Sequence, residues 1–145
     1  MLIHTTIDFE VSVGNLHAVL TDGAPAPLGH YSQAILGRGL VHISGQLPIP
    51  RSGIPSNKSA SFYAQARLVL QNFLAILDAA GSDKSNVLKV TAYIVGSENW
   101  PMFNQAFAEA FGDHRPSRSV VPVPELHHGY LIEIDGVGIA LGPDA

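Results

Sequence analysis

Cysteine is absent from the 145 residues, which removes disulfides, thiolate nucleophiles and cysteine-ligated zinc or iron–sulfur sites together. Basic residues are scarce: eight Lys or Arg stand against twelve Asp or Glu, a formal charge of −4. With no Lys/Arg cluster, the chain lacks the phosphate-neutralising surface on which non-specific nucleic-acid affinity rests. No apolar run approaches the length of a membrane span. The opening Met1-Leu2-Ile3-His4-Thr5-Thr6-Ile7-Asp8 has neither the basic start nor the hydrophobic run of a secretory signal, so a soluble cytoplasmic protein is expected.

Three further features exclude chemistry. Seven histidines are present, yet none forms a His-x-x-x-His pair, and His127 and His128 point to opposite sides if extended, so no metal is expected. Gly136-Val137-Gly138-Ile139-Ala140-Leu141-Gly142 superficially resembles a dinucleotide fingerprint, but it falls inside a predicted strand and leads to no helix, so no nucleotide cofactor is implied. Ser44 lacks a Gly-x-Ser-x-Gly elbow, which argues against a hydrolase triad.

What is present is an apolar chain, 46% hydrophobic, of a length that buries about two thirds of its unfolded surface around one core. One domain over residues 1–145 is expected, with residues 1–16 as an extension. Ile3, Thr5, Ile7, Phe9, Val11 and Val13 alternate with polar neighbours and predict a strand. Asp22-Gly23-Ala24-Pro25-Ala26-Pro27 predicts a connector, and strands follow at Tyr31–Leu36 and Leu40–Gln46 through Gly37-Arg38-Gly39. Residues Leu47 to Lys58 read as an exposed loop. Phe62, Ala66, Val69, Leu70, Phe73, Ile76, Leu77 and Ala80 recur at helical steps, with Ser59 or Ser61 as cap and Gly81 as stop. Asn86–Val95 predicts a strand with Leu88, Val90, Ala92 and Ile94 on one face. A second helix carries Trp100, Phe103, Phe107 and Ala110/Phe111, begins near Pro101 and ends at Gly112. Strands over Arg118–Val123 and Tyr130–Leu141 complete the set.

This order describes an α+β fold with both helices on one face of a mixed sheet. Val121, Val123, Ile132 and Ile134 are apolar, as are Val120, Leu131, Val137 and Ile139, so the helix-free face is expected to be covered by self-association.

Arg118 sits at the mouth of an apolar strand, where a guanidinium is suited to gripping a carboxylate through two parallel hydrogen bonds. Glu133 shares a strand face with Leu131, Asp135 and Val137, a setting that raises a carboxyl pKa toward the range useful for proton transfer. His114-Arg115-Pro116-Ser117-Arg118-Ser119, Gly29-His30-Tyr31-Ser32-Gln33-Ala34, Val41-His42-Ile43-Ser44-Gly45-Gln46 and Leu131-Ile132-Glu133-Ile134 together resemble the RidA/YjgF family of enamine/imine deaminases, related to the L-PSP endoribonucleases. The resemblance runs from about Ala24 to Leu141 and leaves the first sixteen residues unexplained.

The resemblance implies a chorismate-mutase-like (ferredoxin-like) subunit, a trimeric barrel and active sites between neighbouring subunits. It implies that Arg118 holds the carboxylate of a small imino acid and that Glu133 places and deprotonates the attacking water. Tyr31, Ser44, Gly45, Asn104 and the backbone of Val120 are implied to line the substrate. Val120 stands where cysteine is common, Ser117 where alanine is common, and His30 where proline is common; Arg115 is expected to face solvent. The implied reaction is cofactor-independent hydrolysis of enamines and imines of the 2-aminoacrylate type to 2-oxo acids and ammonia. The alternatives are a non-catalytic trimer that binds a 2-oxo acid or amino acid, an endoribonuclease, which the acidic composition disfavours, and a chorismate mutase, which needs more clustered cations than are here.

Overall fold

The structure of the chain, a computed structural model, describes residues 16–53 and 60–141. The alternating stretch at residues 3–13 lies outside the described residues. Eight elements follow in order: β1 (His17–Val19), β2 (Ala34–Gly37), β3 (Leu40–Gln46), α1 (Phe62–Ala79), β4 (Val87–Val95), α2 (Trp100–Phe111), β5 (Ser117–Val123) and β6 (Ile132–Ile139). Their strands form one sheet in the order β1-β2-β3-β6-β4-β5, with β4 and β5 parallel and the other pairs antiparallel. The expected α+β architecture, a mixed sheet with two helices on one face, is the one observed.

Local chemistry explains most boundaries. Arg38 (φ 52°) and Gly39 (φ 75°) both sit in the left-handed region, as a two-residue hairpin between β2 and β3 requires. Ser61 caps α1 by accepting the Ala64 amide at 3.2 Å. Beyond its end, Gly81 (φ 77°) lets the Ser82 amide reach back to the Leu77 carbonyl at 3.1 Å. Both helices press Phe73, Ile76, Leu77, Phe103, Phe107 and Phe111 onto Val90, Ala92, Ile94, Ile132 and Ile134 of the sheet. At Gly136 of β6 a Cβ would lie 2.6 Å from the Lys89 carbonyl and 2.8 Å from the Phe73 ring. The glycines of β6 therefore serve close packing of α1 on the sheet.

Several sequence expectations are corrected. A register irregularity between Val87 and Lys89 turns Val87 inward and leaves Leu88 44% exposed, so Leu88 does not share the face of Val90. Trp100 is exposed at the start of α2 rather than part of its buried stripe. Strand β2 begins only at Ala34, because Tyr31 closes a tight turn onto the Gly29 carbonyl and Gln33 turns its side chain to the preceding loop. Strand β6 is likewise shorter than Tyr130–Leu141. The start of the loop after β3 is not exposed: Pro48 and Ile49 are buried.

The two faces of the sheet also differ from the apolar pair expected. Register places Val120, Ile132 and Ile134 beside Ala92 and Ile94 under the helices. On the other face Val121 and Glu133 flank Tyr93, Ser119 and Asp135 flank Thr91, and Val137 lies beside His42 and Lys89. Alternation had sorted these residues only as apolar; pairing shows that the helix-free face mixes valines with carboxylates, tyrosine and hydroxyls.

Candidate functional site

Arg118 is the second residue of the edge strand β5 and lies on the helix side of the sheet, paired with buried Val90. Its guanidinium rests on α2, 4.8 Å from the Phe107 ring centroid, 5.3 Å from that of Phe103 and 5.9 Å from that of Trp100. Those rings, with Asn104, occupy positions i, i+3, i+4 and i+7 of one helix face. Asn104 Oδ1 accepts from Arg118 Nη2 at 3.2 Å. Burial lowers the Arg118 pKa from its ordinary value, without removing the charge of a guanidinium. The rings hold the guanidinium itself, with its planar fork at the rim of a depression of about 470 Å³ bordered by Asn104, Phe107, Phe111, His114 and Arg115. Arg115 is exposed, as expected.

Glu133 belongs to a second recess, about 520 Å³, lined by Leu28, Tyr31, Ser44, Gly45, Leu47, His127 and His128. Burial pushes its carboxyl pKa up; the charge of His127 opposes this and the charge of Asp135 adds to it. Asp135 is raised by burial too, while a hydrogen bond from Tyr93 works the other way. A Cβ on Gly45 would collide with Glu133 Oε1 and stand 3.3 Å from its Cδ. Glycine here lets the carboxylate lie directly against β3.

The hydroxyls are polarised by their neighbours. Tyr31 Oη accepts the Leu28 amide at 3.2 Å, leaving its proton free to donate into the recess. Ser44 Oγ donates to the Ser32 carbonyl at 2.6 Å, so toward a ligand it can only accept.

The expected site residues therefore fall into two groups. Tyr31, Ser44, Gly45 and Glu133 share one recess, and Arg118 and Asn104 share another. Val120 is two residues from Arg118 on the same face, partly buried against the core. Glu133 pairs with Tyr93 on the helix-free face, whereas Arg118 pairs with Val90 on the helix face. One chain does not bring the guanidinium and the carboxylate together. His30 is exposed and is not part of the recess.

Other contributors escaped sequence reasoning. His127 and His128 were expected on opposite sides, but His128 adopts φ 61°, and this left-handed step puts both imidazoles on the Glu133 recess. Four buried carboxamides hold the backbone around the site, among them Gln46, which donates to the Ser44 carbonyl at 3.1 Å. Gln33 accepts the Thr21 amide at 2.7 Å and donates to the Pro25 carbonyl at 3.0 Å. Asn72 donates to the Leu47 and Ile49 carbonyls at 3.2 and 3.0 Å, and Gln65 accepts the Leu131 amide at 2.9 Å, two residues before Glu133. The signal for Gln65 and Asn72 was a polar residue on the apolar stripe of α1. No metal-holding group of His, Asp or Glu occurs among the described residues, and no described helix is long and apolar enough to cross a membrane.

Comparison with known proteins places this geometry. The family described as endoribonuclease L-PSP matches residues 21–140. A RutC family protein of Pyrococcus horikoshii is 39% identical over 120 residues, 82% of this chain and 94% of that protein. The crystal structure of RidA from an Antarctic Psychrobacter species superposes with a TM-score of 0.80 at 31% identity, covering 85% of this chain and 98% of the other. That of Escherichia coli TdcF with bound serine does so with a TM-score of 0.78 at 30% identity, covering 85% and 98%. A family match over most of the length, relatives above 30% identity and the shared fold lead to one conclusion: the chain belongs to the endoribonuclease L-PSP family, the RidA/YjgF group.

Proposed function

We propose that the chain hydrolyses reactive enamines and imines of small amino acids to 2-oxo acids and ammonia, at a site completed by a second copy of itself. The observation that carries this reading is the division of the polar residues: a carboxylate-gripping fork at Arg118 on one face and a desolvated carboxylate at Glu133 on the other. A ring of head-to-tail copies joins complementary halves of this kind, each copy contributing a different surface to its two neighbours. The family likeness favours three copies. The serine bound by TdcF supports a ligand of amino-acid size and chemistry.

At the joined site Arg118 and Asn104 hold the substrate carboxylate, and the Val120 backbone borders it. Tyr31 donates to the ligand from the opposite wall, and Ser44 accepts from it. The raised pKa of Glu133 suits a base that takes a proton from water and returns it at neutral pH. Imine hydrolysis proceeds unaided in water, so orientation with one proton-transfer group, worth about 10²–10⁴-fold, suffices and no cofactor is required.

The test is ammonia and 2-oxo acid release from imino acids generated in situ by an amino-acid oxidase, with wild type beside Arg118→Ala. Acceleration that the substitution abolishes is the expected result. No acceleration by folded wild-type oligomer, with a 2-oxo acid still bound, replaces this reading with that of a non-catalytic binding protein, which the bound serine of TdcF also favours.

A further inference from the structure

The turn between β5 and β6 gives the Glu133 recess a feature that the reading above does not use. His127 and His128 both line it, their ring centroids 6.3 Å apart. No lysine or arginine of the same chain lines this recess among the described residues. The Ser44 proton is committed to the Ser32 carbonyl, and the Tyr31 phenol oxygen already accepts the Leu28 amide. Beside Glu133, the imidazoles are the side chains of this recess whose ring nitrogens can both take up and give back a proton. The two differ: His128 sets its ring edge-on to Tyr130 at 6.3 Å, whereas the charge of His127 acts on the Glu133 carboxylate.

Imine hydrolysis gains from a second such group. Attack by water removes a proton from oxygen, but the nitrogen must gain one at attack and another before it can leave. A single carboxylate must otherwise serve both atoms in turn. We infer that His127 is a second catalytic residue, the acid that protonates the substrate nitrogen while Glu133 acts as base on the oxygen. This inference rests on the deaminase reading.

The steps balance. Water oxygen bonds to the imine carbon, its proton passes to Glu133, the C=N π pair moves to nitrogen, and nitrogen takes a proton from the His127 imidazolium. Glu133 then returns its proton to His127 across the recess. In the collapse His127 protonates the amine again, Glu133 takes the hydroxyl proton, the C–N bond breaks, C=O forms, and ammonia departs. A second transfer from Glu133 to His127 restores the start. Imine and water become 2-oxo acid and ammonia, with no redox change. The other titratable groups facing this pair are Tyr31 in the same recess, Asp135 and Tyr93 toward Glu133 and His128 toward His127.

The experiment compares pH profiles of kcat and KM for wild type, His127→Gln and His127→Gly on imino acids made in situ, with product 2-oxo acid binding measured alongside. The expected result for His127→Gln is a kcat lower by about 10²-fold, KM and product affinity within about twofold, and loss of the alkaline limb of the kcat profile. Added imidazole restores rate to His127→Gly but not to wild type. Unchanged kcat and profile in His127→Gln, or no rescue of a depressed His127→Gly, overturns the inference and leaves the deaminase reading standing. Wild type that binds 2-oxo acid but releases no ammonia overturns both.

Discussion

Replacing Gly45 with alanine separates the site from the fold that carries it. The added methyl would overlap Glu133 Oε1 and press its Cδ at 3.3 Å, with Cγ at 3.7 Å. Oxygen and methyl carbon rest in contact at about 3.3 Å, so the carboxylate must retreat by about 1 Å. The obstacle is the end of a flexible side chain, and relief by rotating Glu133 limits the stability loss to about 1 kcal/mol or less. A 1 Å misplacement of a reacting group costs about 10²-fold in rate. Gly136→Ala supplies the contrast, since its methyl would meet the Lys89 carbonyl at 2.6 Å and the Phe73 ring at 2.8 Å, neither free to yield. That variant should lose about 1–3 kcal/mol. Chemical denaturation beside ammonia-release kinetics reads both: Gly45→Ala nearly as stable as wild type and about 10²-fold slower, Gly136→Ala clearly less stable. Full activity in a folded Gly45→Ala protein refutes the placement of Glu133 as the base.

Burial raises the Glu133 pKa, so its charge opposes folding above the folded pKa and that cost disappears below the ordinary glutamate range. Glu133→Gln should therefore be more stable than wild type at neutral pH, by under about 1 kcal/mol because solvent screens a half-exposed group, with the gain vanishing at acid pH in urea titrations, and it should release no ammonia. Arg118→Lys keeps the charge but loses the planar fork, and should weaken 2-oxo acid binding about tenfold or more by calorimetry. Asn72→Ala takes the Asn72 donor from the buried Ile49 carbonyl, while the Leu47 carbonyl keeps the Ile49 amide, and should cost about 1–3 kcal/mol in denaturant midpoint analysis.

Much of the fold was legible because its signals are local. The α1 stripe, its Ser61 cap, the Gly81 and Gly112 stops and Pro101 in the first turn of α2 each act over one or two turns. What escaped depends on partners far along the chain. The irregularity that expels Leu88 arises where β4 meets β6, and the polar character of the helix-free face emerges only when Thr91 and Tyr93 are set beside Asp135 and Glu133. The same division holds at the site. Arg118 and Glu133 were found from residue type and neighbourhood, but their placement on opposite faces follows from register. The left-handed backbone of His128 that turns both imidazoles to one recess was not legible in the sequence, since histidine is one of the residues enriched in that region yet most histidines do not adopt it.

Subunit mixing tests the central claim most directly. Arg118→Ala and Glu133→Gln should each be inactive alone. If every site takes its guanidinium from one copy and its carboxylate from the next, random exchange in an equal mixture rebuilds about a quarter of the sites. Ammonia release should then recover to roughly a quarter of the wild-type rate. An exchanged mixture that stays as inactive as its two components would contradict the shared site.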